Sequence, residues 1–245
     1  MRKTTAYLIL WGCIFLLAGS LLLHGQPGKE EGLAAGEVAA DGPIIALTFD
    51  DGPSDYTIEL AQGLADRGVK ATFFVLGQQV EKYPEETALL AELGHQIGSH
   101  GYDHSASFTV LSDQALADQL DQTIAAVEEA AGVEPVYVRP PYGSINKRTA
   151  QKIPQPLMLW TLDTRDWATQ DADSVRESIL SQAKDGSVVI LHDGYPTTVE
   201  GVLEAVDTLL AEGWQFVTLE EYYAKQGMTP EPGQVYRGTA LADIN

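Results

Sequence analysis

The feature that most constrains this chain is an alternation of two periodicities. Between residues 42 and 226, short apolar runs repeatedly give way to amphipathic stretches. Ile44–Phe49, Ala71–Leu76, Gln96–Ser99, Val136–Arg139, Leu157–Leu162, Ser187–Leu191 and Gln215–Thr218 read as strands. Most are continuous apolar runs of a length that suits strands buried on both faces. Between them, Tyr56–Arg67, Pro84–Leu93, Ser112–Ala131, Asn146–Lys152, a segment from Asp173 or Ser174 to Ala183, Val199–Glu212 and Leu219–Lys225 read as helices. Ser112 can cap the longest of these and Gly132 can end it. Alternating strands and helices imply an α/β fold with a mostly parallel sheet and helices outside. About seven strands in one span point to a single, incomplete β/α barrel rather than two domains.

The flanks differ from this core. Arg2 and Lys3 precede Ala6–Leu23, which contains no charge. Residues 1–23 therefore read as a signal peptide or a membrane anchor, and the lack of a clean small-residue cleavage site favours the anchor. The basic residues before the apolar run place the remainder outside the cytoplasm. Residues 24–41 read as a flexible tether and residues 227–245, with two prolines and no periodicity, as a loose tail. The chain carries 15 Lys+Arg against 35 Asp+Glu, a net charge of −20. That balance argues against a nucleic-acid partner, because phosphate binding needs a basic face. The single cysteine, Cys13, excludes an intramolecular disulfide and a cysteine-based zinc site.

Polar residues concentrate where several strands end, and in a β/α barrel the C-terminal strand ends share one mouth. His100 and His104 have a spacing that can bring two imidazoles to one side of a turn, as a divalent metal requires. Asp50 and Asp51 repel one another unless a cation or an arginine lies nearby, although Asp-Gly-Pro is also ordinary turn chemistry. Arg139, ahead of two prolines, can hold a carboxylate as its anion or can be a surface arginine beside a rigid turn. Asp166 and Trp167 offer a carboxylate beside an apolar wall for a sugar ring. His192 emerges from the run SVVIL at the mouth of a strand and can act as an acid or sit satisfied in the core.

Taken in order, the clusters are TFDDGP at 48–53, HGYDH at 100–104, RPPY at 139–142, DTRDW at 163–167 and LH at 191–192. This set resembles the five motifs of NodB-type polysaccharide deacetylases, carbohydrate esterase family 4, over residues 42–226. One position departs from the family pattern: Gly101 stands where a Ser or Thr hydroxyl would brace the metal loop. The resemblance implies a single catalytic domain with a distorted (β/α)7 barrel. It implies that Asp51, His100 and His104 bind one divalent metal, commonly Zn2+ with Co2+ as an alternative. It assigns Asp50 as general base, Arg139 as its orienting partner, His192 as general acid and Asp166 as the partner of His192. Tyr142, Trp167, Leu191 and Tyr195 are expected to line the acetyl and sugar pocket, with the Tyr142 N–H helping to stabilise the oxyanion. Asp163 is expected to be structural.

The implied activity is metal-dependent hydrolysis of N-acetyl groups on an envelope polysaccharide, with peptidoglycan N-acetylglucosamine the leading substrate. Chitin oligomers, acetylated xylan and exopolysaccharide are alternatives. A non-catalytic carbohydrate-binding protein on the same scaffold is the alternative of another class. The expected setting is extracytoplasmic, at the cell envelope, as a monomer held to the membrane by its N-terminal segment or secreted.

Overall fold

The computed structural model describes residues 42–244. The expected leader and tether lie outside the described residues. No helix among the described residues is long and apolar enough to cross a membrane.

The chain begins with β1 (Ile44–Asp50), α1 (Thr57–Asp66), β2 (Thr72–Val75), α2 (Gly77–Lys82), α3 (Pro84–Glu92) and β3 (Gln96–Ser99). It continues with α4 (Asp113–Ala131), α5 (Lys147–Ala150), β4 (Leu157–Met158), β5 (Leu162–Asp163), α6 (Asp166–Thr169) and α7 (Ala172–Gln182). The last elements are β6 (Ser187–His192), α8 (Pro196–Ala211), β7 (Gln215–Phe216), α9 (Leu219–Lys225), β8 (Val235–Arg237) and β9 (Ala240–Leu241). Ser112 caps α4 by accepting the Ala115 N–H, and Gly132 ends it in the left-handed conformation at φ 68°. Both follow from residue type: a short hydroxyl side chain satisfies a free N–H, and glycine tolerates positive φ.

The main sheet has the order β3-β2-β1-β6-β5, with β7 beside the start of β1, and every pair is parallel. A smaller sheet has the order β4-β8-β9. Val138 bridges Ser99 and Leu157 and so links the two. The fold is thus an α/β domain on a parallel sheet, as the alternation predicts, but the strands do not close into a ring. The expected strand Leu157–Leu162 is divided between sheets: Leu157 and Met158 pair with β8, whereas Leu162 and Asp163 pair with β6. That division leaves the seam. The expected strand Val136–Arg139 is reduced to the bridge at Val138, and Pro135, Pro140 and Pro141 around it cannot donate to a ladder.

Both β1 and β6 are buried, and their side chains alternate. Ile45, Leu47, Phe49, Val189 and Leu191 pack toward Leu60 and Leu64 of α1 and Val199 and Val202 of α8. Ile44, Ala46 and Val188 face the other way, toward Phe74, Tyr222 and Tyr223. On that second face, the next positions along β1 and β6 are Thr48, Asp50, Ile190 and His192, so the same alternation that builds the core delivers polar groups to the strand ends.

The expected loose tail is a correction. Val235 and Tyr236 are buried, and Leu159 N–H donates to Tyr236 O at 2.8 Å while Ala242 N–H donates to Val235 O at 2.8 Å. The Tyr223 hydroxyl donates to Gly238 O at 3.0 Å. The unpaired edge of β4 supplies the partner that three residues between prolines and glycines cannot advertise in sequence. Tyr236→Ala is therefore expected to lower the stability of the fold by about 3 kcal/mol, as for other buried aromatic truncations. Urea unfolding checks this; an unchanged midpoint would show that the segment does not pack.

Candidate active site

Asp50 ends β1 and is 2% exposed, and Arg139 beside it is fully buried. Arg139 Nη1 donates to Asp50 Oδ1 at 2.7 Å and to Thr48 Oγ1 at 2.8 Å, while Nε donates to Met158 O at 3.1 Å. The guanidinium carbon lies 4.2 Å from the Phe74 ring centroid. Burial lowers the Arg139 pKa, and Asp50 opposes that shift through charge and hydrogen bonding. The two prolines after Arg139 fix the backbone that aims it inward.

Adjacent residues in a strand point to opposite faces. Asp51 escapes this rule because it is left-handed, at φ 72°. The reversal brings its carboxylate into the same cavity as Asp50. Asp51 Oδ1 lies 3.5 Å from His100 Nε2 and 3.8 Å from His104 Nε2, and one ligand atom from each of the three residues falls within 4.8 Å of the others. His100 Nδ1 donates to Arg139 O at 2.8 Å. A carbonyl can only accept, so the proton sits on Nδ1 and Nε2 keeps its lone pair for a ligand. Burial lowers the His100 pKa, which favours the neutral, ligating form. Asp51 Oδ1 is buried with no hydrogen-bond partner. An orphaned carboxylate oxygen between two imidazole nitrogens fits a divalent cation, with three protein ligands and room for water.

The second pair lies across the cavity. His192 Nδ1 donates to Asp166 Oδ1 at 2.9 Å, so Nε2 is left for the cavity. Asp166 is fully buried, and its Oδ2 also accepts the His192 backbone N–H and the Thr198 hydroxyl. Burial works against protonation of the His192 ring, but the Asp166 hydrogen bond and charge, with Asp50 and Asp51 beyond, raise its pKa to about 9.

Asp50, Asp51, His100, His104 and His192 line one cavity of about 460 Å³ together with Tyr142, Trp167 and Tyr195, with Arg139 and Asp166 behind them. Tyr142 is 65% exposed and Trp167 50%, so both present ring faces to solvent at the rim. Tyr142 packs edge-on to His104 with ring centroids 4.3 Å apart, and its hydroxyl donates to His104 O at 3.3 Å. Leu191 is a correction. It is fully buried among the helix-facing residues, and Ile190 lines the cavity in its place. Strand alternation requires this, because His192 faces the cavity and its neighbour cannot.

Sequence reasoning missed Trp160, and it placed Asp163 outside the site although both line the cavity. The Trp160 ring lies over Gly143, where a Cβ would fall 2.7 Å from it. The absence of a side chain at 143 was the available signal. Gly101 is left-handed at φ 85°, and a Cβ there would meet the Phe108 ring at 3.0 Å. The bracing that a hydroxyl would supply comes from α4 instead: Gln119 Oε1 accepts the Tyr102 N–H at 2.6 Å and Gln119 Nε2 donates to Asp103 Oδ1 at 2.9 Å.

Comparison with known proteins gives this geometry a family. The polysaccharide deacetylase family model matches residues 37–155. The chain is 40% identical over 183 residues to a peptidoglycan-N-acetylglucosamine deacetylase, PgdA, of Listeria monocytogenes, covering 74% of this chain and 39% of the relative. This chain thus spans well under half of that relative's length. A peptidoglycan-N-acetylglucosamine deacetylase of Bacillus cereus is 33% identical over 202 residues, covering 79% of this chain and 94% of that one. Among solved structures, one described as T48 deacetylase with substrate superposes with a TM-score of 0.77 at 39% identity, covering 82% of this chain and all of the other. The chain belongs to the polysaccharide deacetylase family, the NodB-type deacetylases of carbohydrate esterase family 4.

Proposed function

We propose that this chain hydrolyses N-acetyl groups of a cell-envelope polysaccharide, peptidoglycan N-acetylglucosamine first among them, to acetate and a free amine. One observation carries this: a possible metal triad, a carboxylate held by a buried arginine, and a histidine paired to a buried aspartate all face one cavity. The peptidoglycan deacetylases among its relatives support the choice of polymer, and action on a cell wall implies an extracytoplasmic setting. Tethering or secretion through residues 1–23 is part of the same proposal.

Asp51, His100 and His104 would hold the cation, Zn2+ or Co2+. Bound there, a divalent cation acidifies water and polarises a carbonyl. Asp50 takes the proton of the attacking water, with Arg139 fixing the orientation of its carboxylate. The water oxygen bonds to the acetamide carbon, and the Tyr142 N–H donates to the oxygen on which negative charge develops. His192 delivers a proton from Nε2 to the nitrogen as the carbon–nitrogen bond breaks, because an amide anion is too basic to leave. Asp166 holds His192 in the donating orientation and favours its protonated form. Trp167, Tyr142, Tyr195 and Trp160 supply faces and hydroxyls for the sugar rings.

The direct test is acetate release from N-acetylglucosamine oligomers and muropeptides by the metal-loaded protein. Binding of these polymers without acetate release would instead indicate a carbohydrate-binding protein on this scaffold. Asp50→Asn and His192→Ala are each expected to lower kcat by at least about a hundredfold, within the usual range for loss of a general base or acid, with the fold intact. Near-normal rates would reject the base and acid roles. A chelator should abolish turnover and added Zn2+ or Co2+ restore it.

The pH dependence has a definite sign. A histidine with its pKa raised to about 9 is protonated at neutral pH and loses its proton as pH rises through that value. NMR titration of metal-free protein should therefore place the His192 midpoint near 9, and Asp166→Asn should bring it down toward the ordinary value of about 6.5. A midpoint insensitive to Asp166→Asn would remove Asp166 from its assigned part.

A further inference from the structure

Asp193 follows His192 but faces the opposite side of the sheet. It is 1% exposed and does not line the cavity, so it has no direct part in the proposed reaction. Burial, with the charges of Asp51 and Asp50 nearby, makes it an expensive place for a carboxylate. Its Oδ2 accepts the Thr57 hydroxyl at 2.5 Å, and its Oδ1 has no hydrogen-bond partner. A half-satisfied buried carboxylate needs a reason to be there.

The neighbourhood supplies one. Asp193 sits against the turn that presents Asp51. An ideal Cβ on Gly52 would lie 2.4 Å from Asp193 Oδ2, so the carboxylate occupies the space that any side chain at 52 would need. The Ser54 hydroxyl donates to Asp193 O at 2.8 Å. The same Thr57 Oγ1 that donates to Asp193 accepts the Ser54 N–H at 2.7 Å. On the far side, Leu76 N–H donates to Gly52 O at 2.9 Å. A non-glycine residue at φ 72° is costly, of order 1–2 kcal/mol, and persists only where its surroundings over-determine it.

We infer that Asp193 is a positioning residue: through Gly52, Ser54 and Thr57 it holds the turn that keeps the Asp51 carboxylate facing His100 and His104. It acts on metal affinity through Asp51 rather than on the reacting atoms. The inference rests on the proposed metal role of Asp51, His100 and His104.

The test is titration of metal-free protein with Co2+, read from the visible absorption of the bound ion and by calorimetry. Asp193→Ala should weaken binding about 10–100-fold, the usual cost of removing a group that orients a ligand. Asp193→Asn keeps the shape and an oxygen for the Thr57 hydroxyl, and should recover most of the affinity. Gly52→Ala should weaken binding while Asp193 is present and add little once Asp193→Ala has emptied the space, a non-additive pair. Thr57→Val, which is nearly isosteric, should also weaken binding and provides the readout if Asp193→Ala does not fold. Wild-type affinity in Asp193→Ala or Thr57→Val, or additive losses in the Gly52 pair, would overturn the inference. If the wild-type protein itself bound no Co2+, the metal site would fail instead, so the two failures are distinct.

Discussion

The ion pair between Arg139 and Asp50 is the constraint around which the site is arranged. Both partners are removed from water, and a buried charge is tolerable only when it is paired and hydrogen-bonded. The pair meets that requirement at Nη1 and Nε through groups that are also structural, while the buried Nη2 has no hydrogen-bond partner among the described residues. Thr48 accepts from Arg139 and donates to Val189 O, Met158 supplies a carbonyl from β4, and Phe74 of β2 covers the guanidinium. Arg139 O in turn fixes the tautomer of His100. One arginine, through its guanidinium and its carbonyl, thus ties β1, β2, β4 and the loop after β3 to a common geometry. Asp50 and His100 cannot shift independently, and this keeps the two side chains in register. Truncating either member of such a pair leaves the other uncompensated, at about 3–5 kcal/mol, so position and stability are not separable here.

Backbone strain is concentrated at the same mouth. Five non-glycine residues among those described have positive φ: Asp51, His104, Tyr142, Arg165 and Gln170. Three of them line the cavity, and Arg165 immediately precedes Asp166. The reversal at Asp51 breaks the alternation that β1 would impose, while those at Arg165 and Gln170 bound the short helix α6. At Asp51 it sets two neighbouring carboxylates on one side; at Tyr142 it turns the ring back onto His104. Regular strands can present only every second residue to a cavity, so placing adjacent groups together requires such departures, and the surrounding packing has to hold them.

This explains what could be read from the residues and what could not. The helix-covered parallel sheet was legible because burial on both faces leaves continuous apolar runs, as in Ile44–Phe49 and Ser187–Leu191. That Asp50, Asp51, His100, His104 and His192 share one cavity was legible because their motifs cluster at strand ends. At Leu191 motif and strand period disagree, and the period decides: it sends Ile190 rather than Leu191 to the cavity. The split of Leu157–Leu162 between two sheets was not legible, since a continuous apolar run carries no mark of which neighbour each half pairs with. Val235–Arg237 was missed for a related reason: its order comes from the edge of β4, a contact remote in sequence. Trp160 had only an indirect mark, the glycine at 143 that lets its ring lie over the backbone there.

The same geometry sharpens the meaning of the acidic composition. No lysine or arginine occurs among the described residues that line the cavity. Asp50 is balanced by Arg139 and Asp166 by protonated His192, and Asp51 would be balanced by a cation. Asp163 is left: its Oδ1 accepts the Arg165 backbone N–H, and no cationic side chain among those described pairs with it. With a divalent cation bound, the second charge of that ion would offset Asp163, so the charges around the cavity would sum to zero and the excess acidity lies outside it. The net charge of −20 then acts at longer range, against polyanionic partners, rather than within the cavity.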